Sequence, residues 1–246
     1  RVSPERIEMG TFSNRFRVVI DGTVGAGAQA VIVVTGKDAH ETFNRKGRFG
    51  PIWISSGKVE VTGVPAVLLA FSAAPVDTFL RREAIDQDLL DETAVKRRMT
   101  VAPPEADEPL IRDHYVALKL GELTYRFASD AVRLERQPQG DVRYALDFAW
   151  PNTVPPGQYE ATVYECRGGE VVSRATAGVE VREVGSAATV RQLAENRATV
   201  YGTLAVALMM SLGFGIDALV ARFRQKRGRR NGRPGEPRAG RDLPVH

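Results

Sequence analysis

Apolar residues recur at every second position through much of the first 75 residues, the short period of β-structure. In "RFRVVIDGTV" the alternation places Phe16, Val18 and Ile20 on one face, and Asp21-Gly22 reads as a turn. The run "AQAVIVVTG" does not alternate, which predicts a strand buried on both faces. "GPIWISSG", "KVEVTGV" and "AVLLAFSA" predict further short strands separated by Gly, Ser or Pro. Several short strands at this spacing suggest a compact sandwich.

The period lengthens after residue 76. "PVDTFLRREAIDQDLLDETAVKRRM" carries helix formers, with Phe79, Leu80, Ile85, Leu89 and Leu90 as buried positions and Asp77 as the N-cap. "VAPPEADEP" breaks that pattern, and "LIRDHYVALKLG" predicts a second helix closing at Gly121. Strands return from "LTYRFASDAVRLERQPQGDVRYALDFAWP" onward. In "GQYEATVYECRGGEVVSRATAGVEVRE", Tyr159, Ala161, Val163 and Glu165 share one face and Arg167-Gly168-Gly169 makes a hairpin turn. The expected fold is mainly β. Two β-sandwich-like (Ig-like) units, 1–76 and 121–185, are joined by a helical segment, 77–120. A juxtamembrane helix, 186–197, then leads into the last hydrophobic run.

That run, "ATVYGTLAVALMMSLGFGI", has no charge from Ala198 to Ile216. As a helix its nineteen residues reach about 28 Å at ~1.5 Å each, close to the ~30 Å hydrocarbon core of a bilayer. No polar stripe at helical period interrupts it, unlike the face of a helix half-buried in a soluble core. Tyr201 stands where interfacial aromatics stand, and Gly202 is tolerated in lipid. A transmembrane helix over 198–221 follows, with Asp217 at the interface beside Arg222 and Arg224. The basic block after it predicts a cytoplasmic C-terminus and places residues 1–197 outside the inner membrane.

This reading changes the meaning of the net charge of +4. Residues 222–246 hold nine Lys/Arg against two acids, a net +7, so residues 1–221 sum to −3. The basic character belongs to a tail expected to be disordered, and a nucleic-acid partner, which needs basic residues clustered on a folded face, is not expected. The partners expected are the lipid bilayer and a membrane protein such as a transporter. The chain opens on Arg1, as expected of a periplasmic chain after signal-peptide cleavage or of a trimmed start.

No catalytic set emerges. Gly22, Gly25 and Gly27 lack the order of a dinucleotide fingerprint, and a strand follows them, not a helix. His40 and His114 have no ligand or triad partners at a recognisable spacing, and Cys166 alone can form no intramolecular disulfide. Asp86, Asp88, Asp91 and Glu92 lack the glycine of a calcium loop and read as a solvated helix face. No cofactor, metal or enzymatic activity is expected. The stretch "FNRKGRFGPIW", residues 43–53, is the candidate binding loop: Arg45, Lys46 and Arg48 stand between aromatics, with Trp53 beyond. It can seat an anion through charge and backbone amides, or dock a partner.

From these residues the chain resembles a family of transmembrane proteins first grouped from alphaproteobacteria. "RKGRFGPIWISSGKVEVTGVPAVLLAFSAAPVD" is similar to its basic segment followed by "GIW" and "VP". "NTVPPGQYEATVYECRGGEVV" is similar to its later strand pair, and "ATVYGTLAVALMMSLGFG" to its closing span with the same Tyr-Gly pair. The resemblance implies a signal peptide, an extracytoplasmic β-rich domain and one C-terminal helix in the inner membrane. It also implies an accessory role beside exporters of the sulfite/organosulfonate type. The alternative is a periplasmic small-anion binding or sensor module using loop 43–53.

Overall fold

The computed structural model describes residues 1–10, 16–49, 52–104, 109–184 and 198–230; of these, the side chains of residues 10, 45–49, 52–56, 198, 200 and 217–230 lie outside the description. In chain order the strands are β1 (Val2–Ser3), β2 (Arg6–Gly10), β3 (Arg17–Val24), β4 (Gln29–Thr35), β5 (Glu41–Phe49), β6 (Ile52–Thr62) and β7 (Leu68–Ser72). After them come β8 (Thr100–Ala102), β9 (Tyr125–Ala128), β10 (Val132–Arg136), β11 (Val142–Ala149), β12 (Gly157–Arg167) and β13 (Glu170–Val184). Helices α1 (Arg82–Asp88), α2 (Glu92–Arg98) and α3 (Pro109–Gly121) fill the middle, and a long C-terminal helix covers Ala198–Arg230. The chain is mainly β, in several sheets, and divides into two compact units, Arg1–Ala187 and Ala188–His246.

In the first unit the strands of the two halves interleave. An antiparallel sheet has the order β1-β3-β11-β10, and a mixed sheet the order β2-β13-β12-β4-β7-β9. Their inner faces share one core built from Val18 and Ile20 of β3, Leu146 and Phe148 of β11, and Ile32, Leu69 and Phe71 of the mixed sheet. The other face of the mixed sheet supports a second core. There Val31, Val33, Leu68 and Ala70 meet α1 to α3 and the small sheet β5-β6-β8. The apolar run of β4 is explained by this position: alternate residues serve the two cores, and all five from Ala30 to Val34 are buried.

The two sandwich units in series, 1–76 and 121–185, are therefore replaced by a single unit. β3 pairs with β11 from Arg17↔Ala149 to Val24↔Val142, and β4 pairs with β12 from Gln29↔Cys166 to Thr35↔Glu160. Alternation sets which face a side chain occupies, not which strand lies beside it, so partners more than a hundred residues away were not readable. Asp21-Gly22 is not a turn but continues β3 opposite Ala145 and Tyr144. Asp77 sits in a short 3-10 turn, Val76–Thr78, without capping a helix; the side-chain cap is Asp91 on α2, accepting from Ala94 N at 2.7 Å. α3 closes at Gly121 and the β12–β13 hairpin turns at Gly168-Gly169, both with positive φ, where the residues predicted them.

The run from Ala198 is helical, and the helix continues to Arg230, beyond the expected end at 221. The tail expected to be disordered from 222 is thus helical over its first nine residues, consistent with the helix propensity of Ala, Arg, Gln and Lys in "ARFRQKRGRR". Residues 186–197, expected as a juxtamembrane helix, and 231–246 lie outside the described residues. Among the described residues no helix is long and apolar enough to cross a membrane. The stretch with described side chains, Tyr201–Ile216, is about 24 Å long at ~1.5 Å per residue. Its large apolar side chains are nevertheless exposed, Met209 at 73% and Phe214 at 76%. Thr203 and Ser211 donate their hydroxyls to Thr199 O and Ala207 O, both at 2.8 Å, so these two side chains are satisfied within the helix.

Candidate functional site

The basic residues singled out by sequence fall at the far end of the β5–β6 hairpin. Its register runs from Glu41↔Val61 to Phe49↔Ile52, with a bulge between Arg45 and Lys46. Arg45, Lys46 and Arg48 lie on β5, and Trp53 of β6 pairs with Arg48 across the ladder. The hairpin thus brings these four positions to one end of one element, while their side chains lie outside the described residues.

The base of the same hairpin has a describable geometry. Phe43, Val59 and Val61 face Ile111, Tyr115 and Leu118 of α3 across an apolar groove of about 240 Å³. Asn44 and His114 supply its polar groups. Phe43 and Tyr115 meet edge to face with centroids 5.9 Å apart, and Tyr115 meets Tyr125 likewise at 6.2 Å. Sequence pattern read "KVEVTGV", which holds Val59 and Val61, as a strand, but nothing in the sequence joined Phe43 to Tyr115, seventy residues on.

Beneath the groove lie several buried polar groups, of which Lys119 and Tyr125 have partners. The Lys119 side chain is buried, donates to Glu41 Oε1 at 2.5 Å, and sits 5.4 Å from the Tyr115 ring centre. Tyr125 Oη donates to Pro65 O at 2.6 Å. The Tyr115 hydroxyl is buried near that of Tyr125 but makes no hydrogen bond of good geometry among the described residues. Burial first, and then the charge of Glu41, pushes the Tyr115 phenol well above its ordinary range; burial does the same to Tyr125. Both phenols stay neutral at physiological pH, so Tyr115 presents the groove with an apolar ring and no phenolate.

The other sequence candidates lie apart from this groove. His40 Nε2 is 2.8 Å from Glu60 Oε1 on an exposed part of the hairpin. Cys166 is buried, and burial pushes its thiol up to about 12, which leaves it without nucleophilic thiolate at neutral pH. In the acid cluster Asp86 and Asp91 are both held by Arg82, with Nε donating to Asp86 at 2.8 Å and Nη2 to Asp91 Oδ1 at 2.8 Å. Arg97 adds a bond to Asp86 at 2.6 Å. These carboxylates are engaged in the α1–α2 junction and do not converge on a vacant point.

The residues expected to anchor the chain, Tyr201, Gly202, Asp217, Arg222 and Arg224, all fall on the C-terminal helix; Tyr201 is 41% exposed, and the side chains of the last three are outside the description. No curated protein and no solved structure matches the chain. A family model does, over residues 1–222, spanning the interleaved β unit and the hydrophobic run. By that match the chain belongs to the family described as "Putative transmembrane protein (Alph_Pro_TM)".

Proposed function

We propose that this chain is a single-pass inner-membrane protein whose β unit lies in the periplasm and acts as a non-catalytic interaction module. The observation that carries this reading is the uncharged run Ala198–Ile216, helical and with large apolar side chains facing outward, in a chain of a transmembrane family. In water that surface is a liability; in lipid it is the ordinary face of a span completed by residues 217–221. The arginines from Arg222 onward orient it with the C-terminus inside. The partner to test first is a membrane transporter, an exporter of sulfite or organosulfonate type, reached through the β unit.

Alkaline-phosphatase fusions test the topology: activity is expected after Glu195 and none after Arg230, and the reverse pattern overturns the reading. Affinity purification of the full chain after mild detergent extraction tests the partner. Recovery of the chain alone overturns the accessory role. Titration of the same preparation with sulfite separates this role from that of a small-anion sensor built on Arg45, Lys46 and Arg48.

A further inference from the structure

Strand β13 is paired to β12 along its length, but its other edge is covered only in part. β2 takes that edge from Glu180 to Val184, and at Pro4 the preceding chain passes to β1 in the other sheet. At the opposite end Gly169 is bridged to Leu80, with its carbonyl accepting from Arg81 N at 2.9 Å. Between these limits, residues 170–179 meet no second strand among the described residues. Exposed edges are normally blunted by bulges, proline or charge, because their free N–H and C=O groups recruit other strands. β13 has a bulge that leaves Val172 without a partner. Below it, Ser173–Val179 has no proline and only Arg174 as a charge, and Ala175, Thr176, Ala177 and Gly178 are exposed.

A second observation lies at the upper end of the same edge. A cleft of about 430 Å³ between α1 and β13 is lined by Arg81, Glu83, Asp88, Glu170 and Arg174, among others. The Asp88 side chain is 8% exposed and stands at the C-terminus of α1, where the helix dipole disfavours an anion. It accepts no hydrogen bond from the described residues. Its nearest cation is Arg174, with Nη1 at 3.6 Å and the guanidinium lying over the Tyr164 ring at 5.7 Å. A buried carboxylate without a donor is costly, and a cationic N–H group is the partner that relieves it.

We propose that residues 173–179 of β13 are a docking edge for an extended segment of a partner protein, added as a further strand, with a Lys or Arg of that segment donating to Asp88 in the cleft. The backbone ladder supplies affinity and the buried carboxylate supplies selection, the division of labour seen when strands are added to sheet edges. The cleft's three acids against two arginines favour a basic segment. This deepens the interaction-module reading by naming the surface and the chemistry of the partner, and it rests on that reading for its biological meaning.

The test uses the full chain in lipid nanodiscs and ten-residue peptides of alternating Thr and Val carrying one Lys at each position in turn. Hydrogen exchange is read at the amides of residues 173–179. At least one peptide is expected to slow exchange there about tenfold. Replacing its Lys by norleucine is expected to weaken binding about fivefold in the wild type and less than about twofold in Asp88→Asn. Protection by no peptide, or a Lys preference unchanged in Asp88→Asn, overturns the proposal. So does concentration-dependent protection without peptide, which assigns the edge to a second copy of this chain. The measurement depends neither on topology nor on a native partner, so its failure and that of the interaction-module reading are separable.

Discussion

Gly22 lies directly opposite Tyr144 across the β3–β11 pair, and the phenol ring covers the place where a Cβ on Gly22 would stand. Tyr144 is buried, so the ring has little room to retreat. Gly22→Ala is therefore expected to destabilise the β unit by about 1–3 kcal/mol, the usual range for overpacking. Thermal unfolding of the full chain in detergent reads this directly. Adding Tyr144→Phe removes the hydroxyl nearest the new methyl and is expected to recover part of the loss.

Asp91 and Asp77 offer a paired comparison, since each precedes helix-forming sequence and only Asp91 caps. Asp91→Ala removes the bond from Ala94 N and two bonds from Arg82, and is expected to cost about 1–2 kcal/mol. Asp77→Ala is expected to stay within about 0.5 kcal/mol, as for an exposed residue without such a role. Equal effects in chemical denaturation would contradict the capping geometry.

The buried ammonium of Lys119 depends on Glu41. Glu41→Ala leaves it the Tyr115 ring and, as the remaining carboxylate, Glu122 at 4.0 Å, and is expected to destabilise by about 1–3 kcal/mol, less than for a fully buried pair because Glu41 keeps some exposure. Lys119→Met fills the same volume without the charge and is expected to be nearly neutral. Denaturation midpoints of the two variants, with slopes unchanged, distinguish a charge effect from lost packing.

The carboxylates of the helical segment respond to pH in opposite directions. Burial holds Asp88 above its ordinary range, with Arg174 opposing. Its contribution is most favourable below the unfolded aspartate pKa of about 3.9 and is lost as pH rises through the higher folded value. Asp88→Asn is thus expected to stabilise the protein at pH 7, with the gain shrinking as pH falls toward 4. Asp86 lies below its ordinary range because Arg82 and Arg97 bond it. Asp91 lies below as well, burial being outweighed by Arg82 and Ala94 N–H. Their stabilisation is present above the unfolded pKa and fades as pH drops through the folded values. Unfolding curves of wild type and Asp88→Asn from pH 3 to 8 check both signs.

How far the sequence carried depended on how local each determinant was. β4, α3 and the β12–β13 hairpin were legible because a doubly apolar run, a helical stretch closed by Gly121 and a Gly-Gly turn each act within a few residues. The turn assigned to Asp21-Gly22 failed because the same dipeptide is accommodated in a strand when a cross-strand Tyr covers the glycine. The groove joins Phe43 to Tyr115 through tertiary packing alone. Asp88 gave no sign, in a row of similar acids, that it alone would be buried without a donor. The basic positions Arg45, Lys46 and Arg48 were conspicuous in composition, and the hairpin gathers them without revealing a ligand.

The interleaving of β3 with β11 and of β4 with β12 also limits when this protein can exist. A chain emerging N-terminus first presents β3 and β4 long before residues 142–167 are available to pair with them. Non-local pairing of this kind slows folding, because a long loop must close before its contacts repay the entropy. Until then the apolar residues of β4, destined for two cores, have neither, and the first 120 residues cannot complete the sandwich by themselves. The last strand, β13, is the one that closes the unit, and it is followed after a short interval by the hydrophobic helix. Completion of the fold and synthesis of that helix are thereby close in time: the β unit can close only shortly before residues 198–216 are delivered.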